Sequence, residues 1–221
     1  MKTIRLCICL CFCFNTLFAQ QEELEYGFLL PQFESGFVVF KNGMRSSASL
    51  NYSMLKQAMM FMDKENVILE FADPLSILVV IIGERRFFPV SSKGTFYEEI
   101  KTGNGFFYVN YKAFMASQGK EAAYGGYSQT SASTSLGSFE NNSSIRVKLK
   151  SSEKFSMKTE NSYFIKSGDK YKRIFSAKTL GKLFKGQTSK IEEFAKEQSI
   201  DFSKPDDIAK IVEYAFNLTN N

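Results

Sequence analysis

The 221-residue chain contains no histidine and no tryptophan, and its four cysteines all lie between residues 7 and 13. A Ser-His-Asp triad is therefore excluded, and beyond residue 13 so are thiol nucleophiles and zinc sites built on thiolates. The formal net charge of +5 comes from 28 basic and 23 acidic residues, which is close to neutral for this length and gives no nucleic-acid signature.

The first 19 residues are typical of a secretory signal peptide. Two basic residues precede an unbroken apolar run from Leu6 to Phe14, and Ala19 stands before a polar stretch. The apolar run is shorter than the about 20 residues that a bilayer-spanning helix needs. We therefore expect cleavage after Ala19, no transmembrane span in the remaining chain, and export to the periplasm, the outer membrane or the extracellular side.

Residues 20–175 are predicted to form a β-rich domain. The segment FVVF is followed by Asn42-Gly43 and then by MRSSASLNY, in which apolar and polar residues alternate. Asn-Gly favours a two-residue type I′ turn, so this stretch predicts a β-hairpin with one half-buried face. A second hairpin is predicted around Thr102-Gly103-Asn104-Gly105, and Gly168-Asp169 is predicted to turn a third.

The segment LSILVVIIG, residues 75–83, is the most apolar stretch of the predicted domain. Because it is rich in β-branched residues and has no polar alternation, it predicts a central strand that is covered on both faces.

Residues 117–144 interrupt the strand pattern. Half of this stretch is serine, glycine or threonine, a composition that buries too little apolar surface to offset the entropy of ordering. We predict a long flexible loop between two strands. A linker between two domains is the alternative.

Residues 176–221 are predicted to form a helical C-terminal region packed on the same domain. Ser176 can cap one short helix, and Ser189 can cap a second with Glu192 completing a capping box. Pro205 opens a third helix with an apolar stripe. Strands first and helices last predict an α+β fold, an antiparallel meander sheet or open barrel with helices at one side or end.

Three stretches together resemble an uncharacterised family of secreted proteins from Bacteroidetes: VVFKNGMRSSASLNYSML, IIGERRFFPV and LGKLFKGQTSKIEEFAKEQSIDF. The shared features are a strand with a glycine turn before a Leu-Asn-Tyr strand, an aromatic-proline strand exit, and a charged helical tail. The resemblance implies a bacterial envelope or extracellular setting. It carries over no catalytic or binding residue.

Four Ser-x-x-Lys matches begin at Ser53, Ser117, Ser151 and Ser167, and this motif supplies the nucleophile of penicillin-binding proteins. That chemistry needs the serine at the start of a long buried helix, whereas these serines lie in predicted strands, turns or loops. The chain also lacks the Ser-Asp-Asn element. We therefore expect no catalysis at these positions.

The carboxylates show no catalytic or metal-binding pattern. Glu98 and Glu99 are neighbours on a predicted strand, so their side chains should point to opposite faces. Asp63 is predicted to lie in a turn, and Asp206 and Asp207 are predicted to offset a helix dipole. No metal or other cofactor is expected.

Aromatic residues make up 15% of the chain, more than one small core needs. The surplus could line an apolar pocket or a partner surface. The absence of tryptophan weakens a sugar-stacking interpretation, although Tyr108, Tyr111, Tyr124 and Tyr127 remain available for it. Tyr124 and Tyr127 could also form a partner contact at the tip of the predicted loop. Solvated loop tyrosines are the alternative at the last two positions.

Taken together, the sequence predicts an exported, non-enzymatic binding or interaction protein of the cell envelope or secreted fraction. Its partner would be another envelope protein or an apolar ligand, and not a nucleic acid. One alternative is a carboxylate-dependent hydrolase acting on envelope or extracellular polymers. Another is a structural envelope subunit.

Overall fold

The computed structural model describes residues 27–91, 94–121, 127–128 and 153–219. The predicted signal peptide therefore lies outside the described residues, as does most of the predicted loop. The described strands are β1 Glu34–Phe40, β2 Arg45–Ser53, β3 Ala58–Met62, β4 Ile68–Glu70, β5 Ile77–Ile82, β6 Arg85–Pro89, β7 Phe96–Thr102, β8 Gly105–Asn110, β9 Ala113–Glu121, β10 Tyr127–Ser128, β11 Glu153–Thr159, β12 Ser162–Ser167 and β13 Lys170–Ile174. The described helices are α1 Ala177–Gly181, α2 Thr188–Glu197 and α3 Pro205–Asn217, and Pro74–Ser76 form a 3₁₀ turn.

Ten of these strands form one antiparallel sheet in the order β13-β12-β8-β7-β6-β5-β1-β2-β3-β4. The chain runs outward from β1 to β4, returns to place β5 on the other side of β1, and then runs outward again to β8. The sheet is thus two meanders joined at the β1–β5 pair. The predicted α+β class is confirmed, with an open sheet and the three helices after the last strand.

The first predicted hairpin is confirmed, but its predicted turn type is wrong. The Phe40 amide donates to the Met44 carbonyl at 2.9 Å, and the Gly43 amide donates to the Phe40 carbonyl at 3.0 Å. The loop therefore has three residues, and only its last, Gly43, has a positive φ, 86°. Because the Asn42 side chain accepts from the Met44 amide at 3.0 Å, the asparagine stabilises this longer loop.

The apolar segment forms β5, which lies between β1 and β6 and is central as predicted. The predicted coverage of both faces holds in the middle of the strand, where Val79 and Val80 are both buried, as is Ile82. It is wrong at Leu78, which is 51% exposed, and incomplete at Ile81, which is partly buried. The register between β1 and β5 shifts at Phe40, which takes Leu78 out of regular pairing.

Residues far apart in strand order meet on the inner face of the sheet, which shows that the sheet is strongly coiled. The rings of Tyr52 on β2 and Phe87 on β6 lie with centroids 6.1 Å apart, although two strands separate β2 from β6. In a flat sheet that separation would be about 14 Å. The coil encloses a first core around Leu50, Val80 and Phe87.

The second sheet, in the order β10-β9-β11, continues the pairing of β8 with β12. Ser162 pairs with Asn110, the Glu160 amide donates to the Lys112 carbonyl at 2.8 Å, and Thr159 pairs with Ala113. The ladder thus passes from β8 and β12 into β9 and β11. The predicted loop at 117–144 overlaps the end of β9 and all of β10.

The helices form a second core with β8, β12 and β13. α1 begins at the predicted cap, where the Ser176 hydroxyl accepts from the Thr179 amide at 3.2 Å. The predicted cap of α2 is wrong: Gln187 is its N-cap, and Ser189 lies inside the helix. Thr188, the first residue of the helix, lies so close to Gly181 of α1 that a Cβ on Gly181 would be 2.8 Å from the Thr188 Cα. The predicted stripe of α3 is buried against the sheet, at Ile208, Ile211, Val212 and Ala215.

Gly105 at the start of β8 should not accept a side chain. A Cβ there would lie 2.1 Å from Cδ2 of Phe216 on α3. We expect Gly105→Ala to lower the free energy of unfolding by about 1–3 kcal/mol, measured by urea denaturation. Gly168→Asn is the control, because no atom lies within 4 Å there and asparagine tolerates its φ of 58°. Equal stability of Gly105→Ala and wild type would contradict the close packing of α3 on β8.

Candidate binding surface

One face of the sheet carries aromatic side chains that belong to neither core. Along β6, β7, β8, β12 and β13, core residues alternate with residues that point to the opposite side, which we call the outer face. On it lie the five residues of the outer aromatic cluster: Phe88, Tyr97, Tyr108, Phe164 and Tyr171.

The rings of the outer aromatic cluster contact one another across strands. Tyr97 stacks on Phe164 with a centroid distance of 4.6 Å, and Tyr171 meets Tyr97 edge-on at 5.2 Å and Tyr108 edge-on at 5.0 Å. Phe88 meets Tyr108 edge-on at 6.2 Å. Such pairs are favourable geometries that hold the rings in place, so the cluster is an ordered surface rather than a set of separate exposed rings.

Glu99 is an acidic residue on this face, and its charge is already paired. Its carboxylate accepts from Arg86 Nη1 at 3.0 Å and from the Tyr108 hydroxyl at 2.8 Å. Burial and then the nearby Glu99 carboxylate raise the pKa of Tyr108, so its hydroxyl stays protonated and remains a donor.

Further basic side chains on the outer face lie around the cluster. Lys101, Lys166 and Arg173 are exposed, and Lys166 Nζ is 5.8 Å from the centroid of Tyr171. Arg173 lies opposite Phe164 in the strand register. Burial raises the pKa of Tyr97, and the positive charge of Arg173 partly opposes that effect. The surface is therefore aromatic at its centre and basic at its rim.

The inner face carries a separate, buried polar network. Arg85 donates to both oxygens of Glu98, each at 2.7 Å, and the Tyr111 hydroxyl donates to Glu98 Oε2 at 2.6 Å. Glu98 is only 3% exposed, and Tyr111 packs against both cores. Burial would lower the pKa of Arg85, but its pairing with Glu98 outweighs that effect and raises it, so Arg85 stays charged. The network joins the two cores.

The two adjacent glutamates thus point to opposite faces, as the sequence predicts. Each is bound by one arginine and one tyrosine, so they do not form a pair that could share a substrate. Asp63 lies in a turn as predicted, where its Oδ1 accepts from the Glu65 and Val67 amides, both at 2.8 Å.

Asp206 and Asp207 lie in the first turn of α3, as the sequence predicts. Asp207 accepts from the Asp201 amide at 3.2 Å and pairs with Lys210 at 3.1 Å. These two interactions lower its pKa, the amide contributing more. The geometry supports a role in stabilising the helix N-terminus.

The Ser-x-x-Lys serines that lie within the described residues do not begin a long buried helix, which that chemistry needs. Ser53 ends strand β2 and its hydroxyl accepts from the Lys56 backbone amide at 3.2 Å. Lys56 Nζ binds Glu70 at 2.9 Å. Ser117 lies in β9 and Ser167 ends β12, and Ser151 is outside the described residues.

Of the two predicted contact residues, Tyr124 lies outside the described residues and Tyr127 lies in the two-residue strand β10. Tyr108 and Tyr111 are two of the tyrosines that the sequence indicates as available for binding, but they belong to opposite faces, Tyr108 with Glu99 and Tyr111 with Glu98. Tyr97, Phe164 and Tyr171 were missed. In the sequence each of these three residues shares alternate strand positions with a lysine or arginine. That pattern identifies a shared surface only once the strand register is known.

A small cleft lies where the coiled sheet brings β3 close to the start of β7. Its volume is about 160 Å³, and its lining includes Met59, Phe71 and Phe96. Binding pockets for drug-sized ligands are usually about 300–1,000 Å³, so this cleft is a weaker candidate site than the outer face.

Within the ranges given above, no three acidic side chains are grouped so that they could hold a metal ion. None of the three described helices combines the length and apolar character needed to cross a bilayer. The chain matches no protein-family model, no curated protein and no solved structure.

Buried tyrosines should make the protein sensitive to alkali. Burial raises the pKa of Tyr52, Tyr108 and Tyr111 above the ordinary value of 10.0. Below pH 10 both the folded and unfolded chains keep these protons. Above pH 10 the unfolded chain loses them first, so the free energy of unfolding should fall as pH rises.

For fully buried Tyr52 the slope is about 1.4 kcal/mol per pH unit until the folded-state pKa is reached. Tyr52→Phe removes this contribution and should flatten the loss, measured as urea midpoints between pH 8 and pH 12. An identical pH profile for wild type and variant would contradict the burial of Tyr52.

Proposed function

We propose that this protein is an exported, non-enzymatic interaction protein that binds a component of the cell envelope or its surroundings through the outer face. The observation that carries the proposal is the outer aromatic cluster with its basic rim. Aromatic residues and arginine are the types that contribute most to binding free energy at interfaces. Four of the five rings are partly exposed, and the fifth, Tyr108, is buried among them. Rings held by one another form a preorganised surface, which lowers the entropy lost on binding.

Export rests on the first 19 residues and on the resemblance to secreted proteins of Bacteroidetes. An envelope location fits a chain whose cysteines all lie before residue 14, because an oxidising compartment would pair stray thiols. The hydrolase alternative has less support, since Glu98 and Glu99 are both engaged in ion pairs. No particular contact favours the structural-subunit alternative.

The proposal is tested by reversing charge at the rim. Lys166→Glu combined with Arg173→Glu changes two exposed side chains of the outer face. The control is Lys178→Glu combined with Lys190→Glu, which changes two exposed side chains of the helices. Each variant is expressed in the native host, and the fraction of exported protein that sediments with the envelope is measured.

We expect the rim variant to reduce envelope association by about tenfold, since like charges at a binding surface repel. The helix variant should behave as wild type. Equal loss in both variants, or loss in neither, would contradict binding through the outer face. Mass spectrometry of the exported protein should also give an N-terminus at Gln20, and an intact Met1 would contradict export.

A further inference from the structure

We propose that the ligand of the outer face is an acidic polysaccharide whose carboxylates lie against Lys101, Lys166 and Arg173. This inference rests on the proposed function and names the chemistry of its ligand. It draws on the charge, the dimensions and the hydrogen-bonding groups of the face.

The charge of the face favours an acidic partner. Arg86 and Glu99 neutralise each other at 3.0 Å. Lys101, Lys166 and Arg173 then leave the rim of the cluster with an excess of positive charge. A neutral ligand would leave these cations without complementary charge, whereas regularly spaced carboxylates would pair with them.

The size of the face favours an extended chain over a folded protein. Five strands at the usual spacing are at most about 19 Å wide, and three outward-facing rows along a strand cover at most about 14 Å, because the sheet is curved. The resulting footprint is at most about 300 Å², smaller than the about 800 Å² per partner that a stable protein interface buries. A polymer that lies across the strands can use this width and continue beyond it.

The state of the aromatic rings favours a sugar over a nucleic acid. Nucleic-acid bases bind by stacking on free aromatic faces. Tyr97 is already stacked on Phe164 and met edge-on by Tyr171. The ring edges and the phenol groups remain available to a ligand. Burial raises the pKa of Tyr97 and Tyr171, so both phenols stay protonated. Protonated phenols and ammonium groups suit the hydroxyls and carboxylates of an acidic sugar.

The test uses the full exported chain and four defined probes. These are polygalacturonate, neutral galactan, poly-L-glutamate and oligodeoxythymidylate, each measured by affinity electrophoresis at low and high salt. The variants are Lys166→Gln with Arg173→Gln, which removes two rim charges, and Lys178→Gln with Lys190→Gln as the matched control on the helices.

We expect binding to polygalacturonate that weakens with salt and falls about tenfold in the rim variant alone. Equal binding to galactan would overturn the requirement for acidity. Binding to poly-L-glutamate as tight as to polygalacturonate would overturn the inference that the ligand is a sugar. Tighter binding to oligodeoxythymidylate would indicate a nucleic acid as the ligand instead. In these three cases the proposed function stands.

If no probe binds, the inference is overturned. The envelope-association experiment then decides whether the proposed function fails as well. Loss of association in the charge-reversed rim variant would then leave the proposed function in place with a different ligand. No loss would overturn both.

Discussion

Val80→Asp on the central strand β5 is expected to prevent folding. Val80 is fully buried in the first core, opposite Val38 on β1 and Phe87 on β6. An aspartate there would place an unpaired charge in an apolar environment at a cost of several kcal/mol, against a total stability of about 5–15 kcal/mol. The measurement is far-UV circular dichroism and the yield of soluble protein.

Leu78→Asp is the matched control for Val80→Asp. It introduces the same charge two residues earlier on the same strand, but Leu78 is 51% exposed at the irregularity in the β1–β5 pairing. We expect this variant to fold with a loss of no more than about 1 kcal/mol. A folded Val80→Asp, or an unfolded Leu78→Asp, would contradict the difference in burial between these two positions of β5.

Glu98→Ala is expected to lower the free energy of unfolding by about 2–4 kcal/mol. It would leave Arg85 without its carboxylate and the Tyr111 hydroxyl without its acceptor, between the two cores. Removing one partner of a buried ion pair costs about 3–5 kcal/mol. The lower range applies because the Arg85 side chain is 31% exposed and can recruit water.

Two controls separate the buried pair from a general loss of charge. Glu99→Ala removes the neighbouring ion pair and the acceptor of the Tyr108 hydroxyl, and it should cost less than Glu98→Ala because the Arg86 side chain is 51% exposed. Arg85→Met combined with Glu98→Leu replaces the whole buried pair and should be closer to wild type than Glu98→Ala. Urea denaturation measures all four proteins. A double variant less stable than Glu98→Ala would show that the pair itself, and not an unpaired charge, determines stability.

Features of the fold that depend on neighbouring residues could be predicted from the sequence. The glycine turns, the β-branched run of β5, the Ser176 cap and the stripe of α3 are each determined by a few adjacent side chains. For this reason the hairpins, the central strand and the α+β class were predicted. The N-cap of α2 was predicted two positions too late, at Ser189 instead of Gln187.

Asn51 shows why some polar positions could not be predicted. Alternation along β2 placed it on the polar face, yet it is fully buried. Its side chain accepts from the Leu30 amide at 3.0 Å and donates to the Leu30 and Gln32 carbonyls at 3.0 and 3.2 Å. The segment before β1 folds over this end of β2, and no periodicity in the sequence specifies that contact.

The candidate surface depends on strand order and register. Tyr97 and Phe164 are 67 positions apart in the chain. They stack because β12 pairs with β8, after the chain has formed β9, β10 and β11 of the second sheet. Composition revealed a surplus of aromatic residues but not their shared face. The opposite directions of Glu98 and Glu99 could be predicted because strand alternation is local, whereas their arginine and tyrosine partners could not.

Site-specific photo-crosslinking tests the outer face most directly. A benzophenone amino acid replaces Phe106, which is 43% exposed on the outer face, or Leu69, which is 40% exposed on edge strand β4. Both proteins are exported in the native host, irradiated, and analysed for covalent adducts. Binding through the outer face predicts abundant adducts from position 106 and few from position 69. Equal adducts from both positions, or adducts from position 69 alone, would contradict it.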